Sequence, residues 1–233
     1  MKRIGITIIG VGVLASSASI ARADLSGLSN CEFAKLLRQA IGLGPSELAA
    51  MAVSTTDCNT IAAAAETHCT TNRTTLEPLL EAVEDAMQAA FRAYELKAED
   101  IATKDQACRD AIDALEAQCG SLLTTVYNTL DSTQETSHSR RCERPLMDVD
   151  VAMLDLTTQQ RDDIRTAQRT RDKVLRHHKD RKDLPSAKQA FDDFETELAS
   201  VLTTAQENAR DAHLTALIDN LSRVMGVEDG LCP

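Results

Sequence analysis

Apolar residues return every three or four positions along most of this chain, and no stretch alternates with period two for long enough to make a strand. The clearest runs are Cys58, Ile61, Ala65 and Cys69, then Leu76, Leu80, Val83, Met87, Ala90, Phe91 and Tyr94, then Cys108, Ile112, Leu115, Cys119, Leu122, Val126 and Leu130. This rhythm belongs to amphipathic helices. Composition agrees, because helix-forming Ala, Leu, Glu, Gln and Arg abound, while six aromatics and no Trp leave little to fill a sheet. The expected fold class is all-α: an antiparallel helical bundle of hairpins with long amphipathic helices, stapled by disulfides.

Ser29 or Asn30 can cap a short helix through Ile41, which Gly42 and Gly44 end, and Pro45-Ser46-Glu47 restarts a second. Residues 55–72 read as one helix, Thr75 opens another with Pro78 in its first turn, and a third runs from about Thr103 to Leu130. The periodicity divides the chain near Ser137 to Pro145. The expected organisation is a secretory signal over 1–23, an acidic cysteine-containing helical region over 24–137, and a linker over 138–145. A second helical region follows over 146–225, and a tail over 226–233.

The signal reading rests on Lys2 and Arg3, an uncharged apolar or small run from Ile4 to Ile20, and the A-x-A site Ala21-Arg22-Ala23. Cleavage is expected after Ala23, which makes the protein periplasmic or secreted. No other stretch approaches the roughly 18 apolar residues of a membrane span, so no stable membrane insertion is expected after cleavage. Cleavage leaves 22 basic residues against 36 acids, a net charge of −14. Residues 24–137 carry 18 acids against seven bases, whereas 161–182 carry nine bases against four acids. The first balance disfavours nucleic acid as a partner; the second leaves one basic stripe.

Seven cysteines, an odd number, meet an oxidising compartment in an exported chain. Cys58 and Cys69 are eleven residues apart, as are Cys108 and Cys119, so each pair lies on one face of its helix. Antiparallel helices would pair Cys58 with Cys119 and Cys69 with Cys108, the preferred arrangement. Parallel helices would give the other pairing, and residues 75–100 could also carry the chain up, down and up again. A metal site is disfavoured, since eleven residues at about 1.5 Å each separate two thiols by about 16 Å. One further bridge is expected among Cys31, Cys142 and Cys232.

Leu156-Thr157-Thr158-Gln159-Gln160 and Leu202-Thr203-Thr204-Ala205-Gln206 share the form L-T-x-x-Q. In each, the Thr hydroxyl can cap a helix while the Gln reaches back to the Thr N–H, and the Leu before it turns inward. Two such motifs in an exported helical chain resemble the Spy/CpxP-like periplasmic stress proteins, over about residues 146–225. The resemblance implies an ATP-independent chaperone or an envelope-stress or metal-resistance accessory protein, commonly a dimer, that binds protein clients through mixed basic and apolar patches. On it, Arg161, Arg165, Arg169, Lys173 and Arg176 become the client-binding candidates. Three features depart from the family: the motifs stand only 46 residues apart, the cysteine-rich half has no counterpart there, and the chain is acidic.

His177 and His178 sit in a charged stretch and read first as a solvated helix end. As neighbours on a helix they point about 100° apart, so with His213 they make only a weak metal set. No phosphate-binding glycine loop, G-x-S-x-G, H-E-x-x-H or C-x-x-C occurs. The reading is a non-enzyme with no cofactor. Its partners are protein clients or envelope proteins, and homodimerisation is open. A disulfide-stabilised structural or adaptor protein of the envelope, or a periplasmic metal-binding sensor, is the alternative.

Overall fold

The computed structural model describes residues 25–96, 99–179 and 184–231, and among them it is all-helical with no strand. After a single turn at Leu25–Gly27, ten helices follow: α1 Asn30–Ala40, α2 Pro45–Ala50, α3 Thr55–Leu96, α4 Ile101–Gln118, α5 Gly120–Thr129, α6 Ser132–Glu143, α7 Val149–Ala152, α8 Thr158–Lys179, α9 Leu184–Val201 and α10 Thr204–Leu231. The expected signal peptide and its cleavage site lie outside the described residues. No described helix is long and apolar enough to cross a membrane.

The two helices expected over 55–72 and from Thr75 are one, the 42-residue α3. Cys58, Ile61, Ala65, Cys69, Leu76, Leu80, Val83 and Ala90 are all buried, and their spacing stays in phase with a single straight helix. Pro78 breaks nothing because it faces solvent, where water can satisfy the carbonyl that its missing N–H leaves bare. The helix expected over 103–130 is instead interrupted at Cys119, whose N–H is shared between the Leu115 and Glu116 carbonyls.

α3 and the α4–α5 pair form a long antiparallel hairpin. Near its turn the Tyr94 hydroxyl donates to Asp105 at 2.9 Å, and farther along His68 Nδ1 lies 3.3 Å from Ser121 Oγ. α1 packs on α3 through Phe33 and Leu37, and its N-terminus is closed by a Ser29–Glu32 capping box. It ends at Gly42, which has a φ of +71° and takes part in paired bonds from Gly42 N–H to Gln39 O and from Leu43 N–H to Arg38 O. A side chain at residue 42 would be strained by that φ and would also crowd the Cys142 sulfur, 3.0 Å from where its Cβ would stand.

The bridges Cys58–Cys119 and Cys69–Cys108 do not form; all four cysteines are buried free thiols. The reason is register. That pairing needs the chain to reverse near residue 88, which is still inside α3, whereas the reversal comes after Leu96. Of the remaining three, Cys142 is a free thiol, Cys31 is disulfide-bonded, and Cys232 lies outside the described residues.

The segment 138–145 is not a linker. α6 runs to Glu143, and His138, Arg141 and Arg144 are buried. Arg141 Nε donates to Glu47 Oε1 at 3.1 Å, and the Arg144 guanidinium donates to the Ala152 and Leu154 carbonyls. These polar side chains are buried because each finds a fixed partner, something apolar periodicity cannot register. α7, α8, α9 and the start of α10 enclose a second core of Met147, Val151, Leu154, Leu156, Ile164, Phe194, Leu198 and Leu202.

α10 joins the two cores. Its first turns belong to the second, while Leu217 and Val224 enter the first. The expected tail from 226 is helical through Leu231, and Glu228 takes a bidentate fork from Arg38 at 2.5 and 2.8 Å, both side chains being buried. Replacing Glu228 by Ala strands a buried guanidinium. The expected loss is about 3–5 kcal/mol, read as a lower urea midpoint with an unchanged slope.

Candidate functional site

The two L-T-x-x-Q motifs start α8 and α10 and meet in space. Leu156 and Leu202 are buried in the second core. Thr157 Oγ1 accepts from Gln160 N at 3.2 Å, and Gln160 Oε1 accepts from Thr157 N at 3.0 Å. The second motif repeats this, with Gln206 N donating to Thr203 Oγ1 at 3.3 Å and Thr203 N to Gln206 Oε1 at 2.9 Å. Each motif is therefore a capping box.

The boxes are also bonded to each other. Gln160 Nε2 donates to Gln206 Oε1 at 2.8 Å, and Gln206 Nε2 returns a bond to Gln160 Oε1 at 3.2 Å. Gln160 Nε2 further donates to the Val201 carbonyl, and Gln206 Nε2 to the Asp155 carbonyl. Val201 stands two residues before Thr203 and Asp155 two before Thr157, so the exchange has approximate two-fold symmetry. The α8–α9 hairpin brings the chain back to its own starting point, and the amide pair fastens it there. Only a planar amide offers both a donor and an acceptor for this, which a carboxylate would not.

The expected basic surface splits in two. Arg165 turns inward, 2.6 Å from Asp105, and both side chains are largely buried. The Arg169 guanidinium lies 5.5 Å from the centre of the Tyr94 ring, over its face. Arg161 is half-buried and donates to Thr158. Lys173 and Arg176 are exposed. Arg171, also in the stripe, packs 4.4 Å from the Phe194 ring centre and pairs with Asp148 and Asp172. Much of the positive charge thus fastens α8 to the α3–α4 hairpin and to the second core.

Next to the amide clasp lies a small cavity of about 230 Å³, lined by Met153, Leu154, Ala205, Gln206, Ala209 and His213 among others. His213 is half-buried with Nδ1 3.5 Å from the Asp150 carbonyl, and burial lowers its pKa. The side chains of His177 and His178 lie outside the described residues. Among the described residues no group of three or more His, Cys, Asp or Glu side chains is placed to hold a metal ion.

One cluster has no counterpart in the sequence reading. His138 Nε2 meets the Ile41 carbonyl at 2.7 Å, its Nδ1 lies 3.3 Å from the Tyr127 hydroxyl, and Cys142 Sγ donates to the same carbonyl at 3.2 Å. The four-residue spacing of His138 and Cys142 on α6 is the signal that could have found it. Burial lowers the imidazole pKa and, with Glu116, pushes the thiol well above its ordinary value. A protonated thiol tied to a carbonyl is not an activated nucleophile.

Comparison with known proteins finds no match among family models, curated proteins or solved structures.

Two outcomes follow from this geometry. Gln160→Ala and Gln206→Ala should each lose about 1–3 kcal/mol, and the double variant should lose clearly less than the two combined, because either one already dissolves the amide pair. A double-mutant cycle by urea denaturation checks this. The second outcome concerns acid. Burial holds His68, His138 and His213 below their ordinary pKa, while Glu47 and Glu116 pull His138 the other way only in part. The unfolded chain therefore binds more protons, and stability falls as pH drops below about 6.5. His138→Gln, whose amide can still donate to Ile41, should show a shallower decline between pH 7.5 and 5.5.

Proposed function

We propose that this chain is exported and acts as an ATP-independent, chaperone-like or envelope-stress accessory protein of the Spy/CpxP type, binding partner proteins through amphipathic helices. The observation that carries the reading is the reciprocal Gln160–Gln206 clasp, in which both L-T-x-x-Q motifs take part as helix caps and as one junction. It makes α8, α9 and α10 a fixed frame for surfaces that face outward.

On that frame the client-facing groups are Lys173 and Arg176 of α8, with the exposed apolar side chains Ile218 and Met225 of α10. The larger apolar residues Ile164, Phe194, Leu198, Leu217 and Val224 of these helices are core. The client class is an unfolded segment with apolar and acidic side chains. An adaptor that links to partners through a free Cys142 is less well supported, since that thiol is engaged with the Ile41 carbonyl and made a poorer nucleophile by burial. A metal-binding role has no group of ligands behind it among the described residues.

The test is light scattering of a chemically denatured client. The purified protein without nucleotide should suppress aggregation at stoichiometric ratio, and a lack of suppression at molar excess overturns the reading. Lys173→Glu with Arg176→Glu should weaken suppression while leaving the melting temperature nearly unchanged. Arg165→Ala should instead lower stability, because it strips Asp105 of its buried partner.

A further inference from the structure

We propose that Cys69 and Cys119 form a disulfide across the contact between α3 and the α4–α5 junction when the chain folds under oxidising conditions. Neighbouring contacts bracket the pair. His68, next to Cys69, lies 3.3 Å from Ser121 Oγ, and the Gln118 backbone is near enough to its ring to raise its pKa against the larger lowering by burial. Residues 118 and 121 on one side and 68 on the other put Cys119 opposite Cys69. Both side chains are fully buried, with 0% exposure. Burial pushes each thiol up to about 12, and the Cys119 sulfur is the next largest influence on Cys69.

The surroundings favour closure of this bond over any other. Facing residues on packed helices can approach within the roughly 4.4–6.8 Å between Cα atoms that a disulfide spans. Cys119 sits where regular helix is interrupted, at φ −90° and ψ 13°, so its backbone can adjust without breaking a continuous ladder. Cys58 and Cys108 stand eleven positions away, at opposite ends of the hairpin, and so have no cysteine across from them. Cys58 donates to the Val53 carbonyl within its own turn, at 3.8 Å.

The oxidant required is a small or protein disulfide. One cysteine thiolate attacks it, forming a mixed disulfide and releasing one thiol. The second cysteine thiolate then attacks the protein sulfur of that mixed disulfide and releases the other thiol. Two cysteine sulfurs lose two electrons in all, the oxidant becomes two thiols, and the two protons end on them. Because the folded thiols are buried and protonated at neutral pH, exchange proceeds in the open chain and the bond closes as α3 and α5 pair. The proposal draws on export only for its physiological setting, and its test does not depend on export or on client binding.

The experiment refolds the reduced, unfolded full chain in a buffer of glutathione and glutathione disulfide. Remaining thiols are blocked with N-ethylmaleimide, and the digest is mapped by mass spectrometry without reduction. The expected result is a Cys69–Cys119 linked peptide, with Cys58 and Cys108 alkylated. Alkylation of both Cys69 and Cys119, or linkage of either to a different cysteine, overturns the proposal. The oxidised protein should also melt roughly 5–10 °C above the reduced one. Cys69→Ala with Cys119→Ala should reduce that difference to what the Cys31 bridge alone contributes, and Cys58→Ala should keep it whole. If the double variant does not fold, the peptide map of the unsubstituted chain decides alone.

Discussion

Asp105 holds three helices at once. From α4 it accepts the Tyr94 hydroxyl of α3 and the Arg165 guanidinium of α8, and Arg169 covers the same tyrosine one turn farther along. A carboxylate that is only 4% exposed is tolerable only while those partners stay in place. The turn of the long hairpin, the position of α8 and the meeting of the two cores are therefore set together. Arg141–Glu47 and Arg38–Glu228 repeat the device at α6 and α10. Apolar helix faces can slide over one another at small cost, whereas a buried fork accepts one register. In this molecule the ion pairs select among packings that the apolar surface alone leaves close in energy.

The glutamine clasp works on the same principle without charge. Two capping boxes would each be satisfied alone, but here every amide hydrogen bond beyond the cap goes to the other motif or to the backbone just before it. The helix starts thereby become a tertiary contact. The surface they support gives up part of the positive charge that its sequence suggests, because Arg165, Arg169 and Arg171 are turned inward onto carboxylates and rings.

Much of the helix inventory was legible in the spacing of apolar residues, and the L-T-x-x-Q caps in the chemistry of Thr and Gln. Other features were hidden for definable reasons. Pro78 reads as a helix start, yet a proline on a solvent face of an otherwise in-phase stripe does not interrupt it. The eleven-residue cysteine spacing is compatible with more than one hairpin register, and the turn after Leu96 chooses among them from outside the pattern. Residues 138–145 look like a linker because they lack apolar side chains, while His138, Arg141 and Arg144 are buried through hydrogen bonds. Which face of the 161–182 stripe is wet depends on Tyr94 and Asp105, far away in the chain.

The 190 residues between Arg38 and Glu228 also bear on how the molecule is made. α1 and most of α3 emerge early from the ribosome, but their core lacks Leu217, Val224 and the counter-charge of Arg38 until α10 follows. During synthesis the first half holds an unpaired guanidinium in a groove still open to water, so stable closure waits for the last helix. A chain wired in this way stays open until its last helix is made and then locks as a unit.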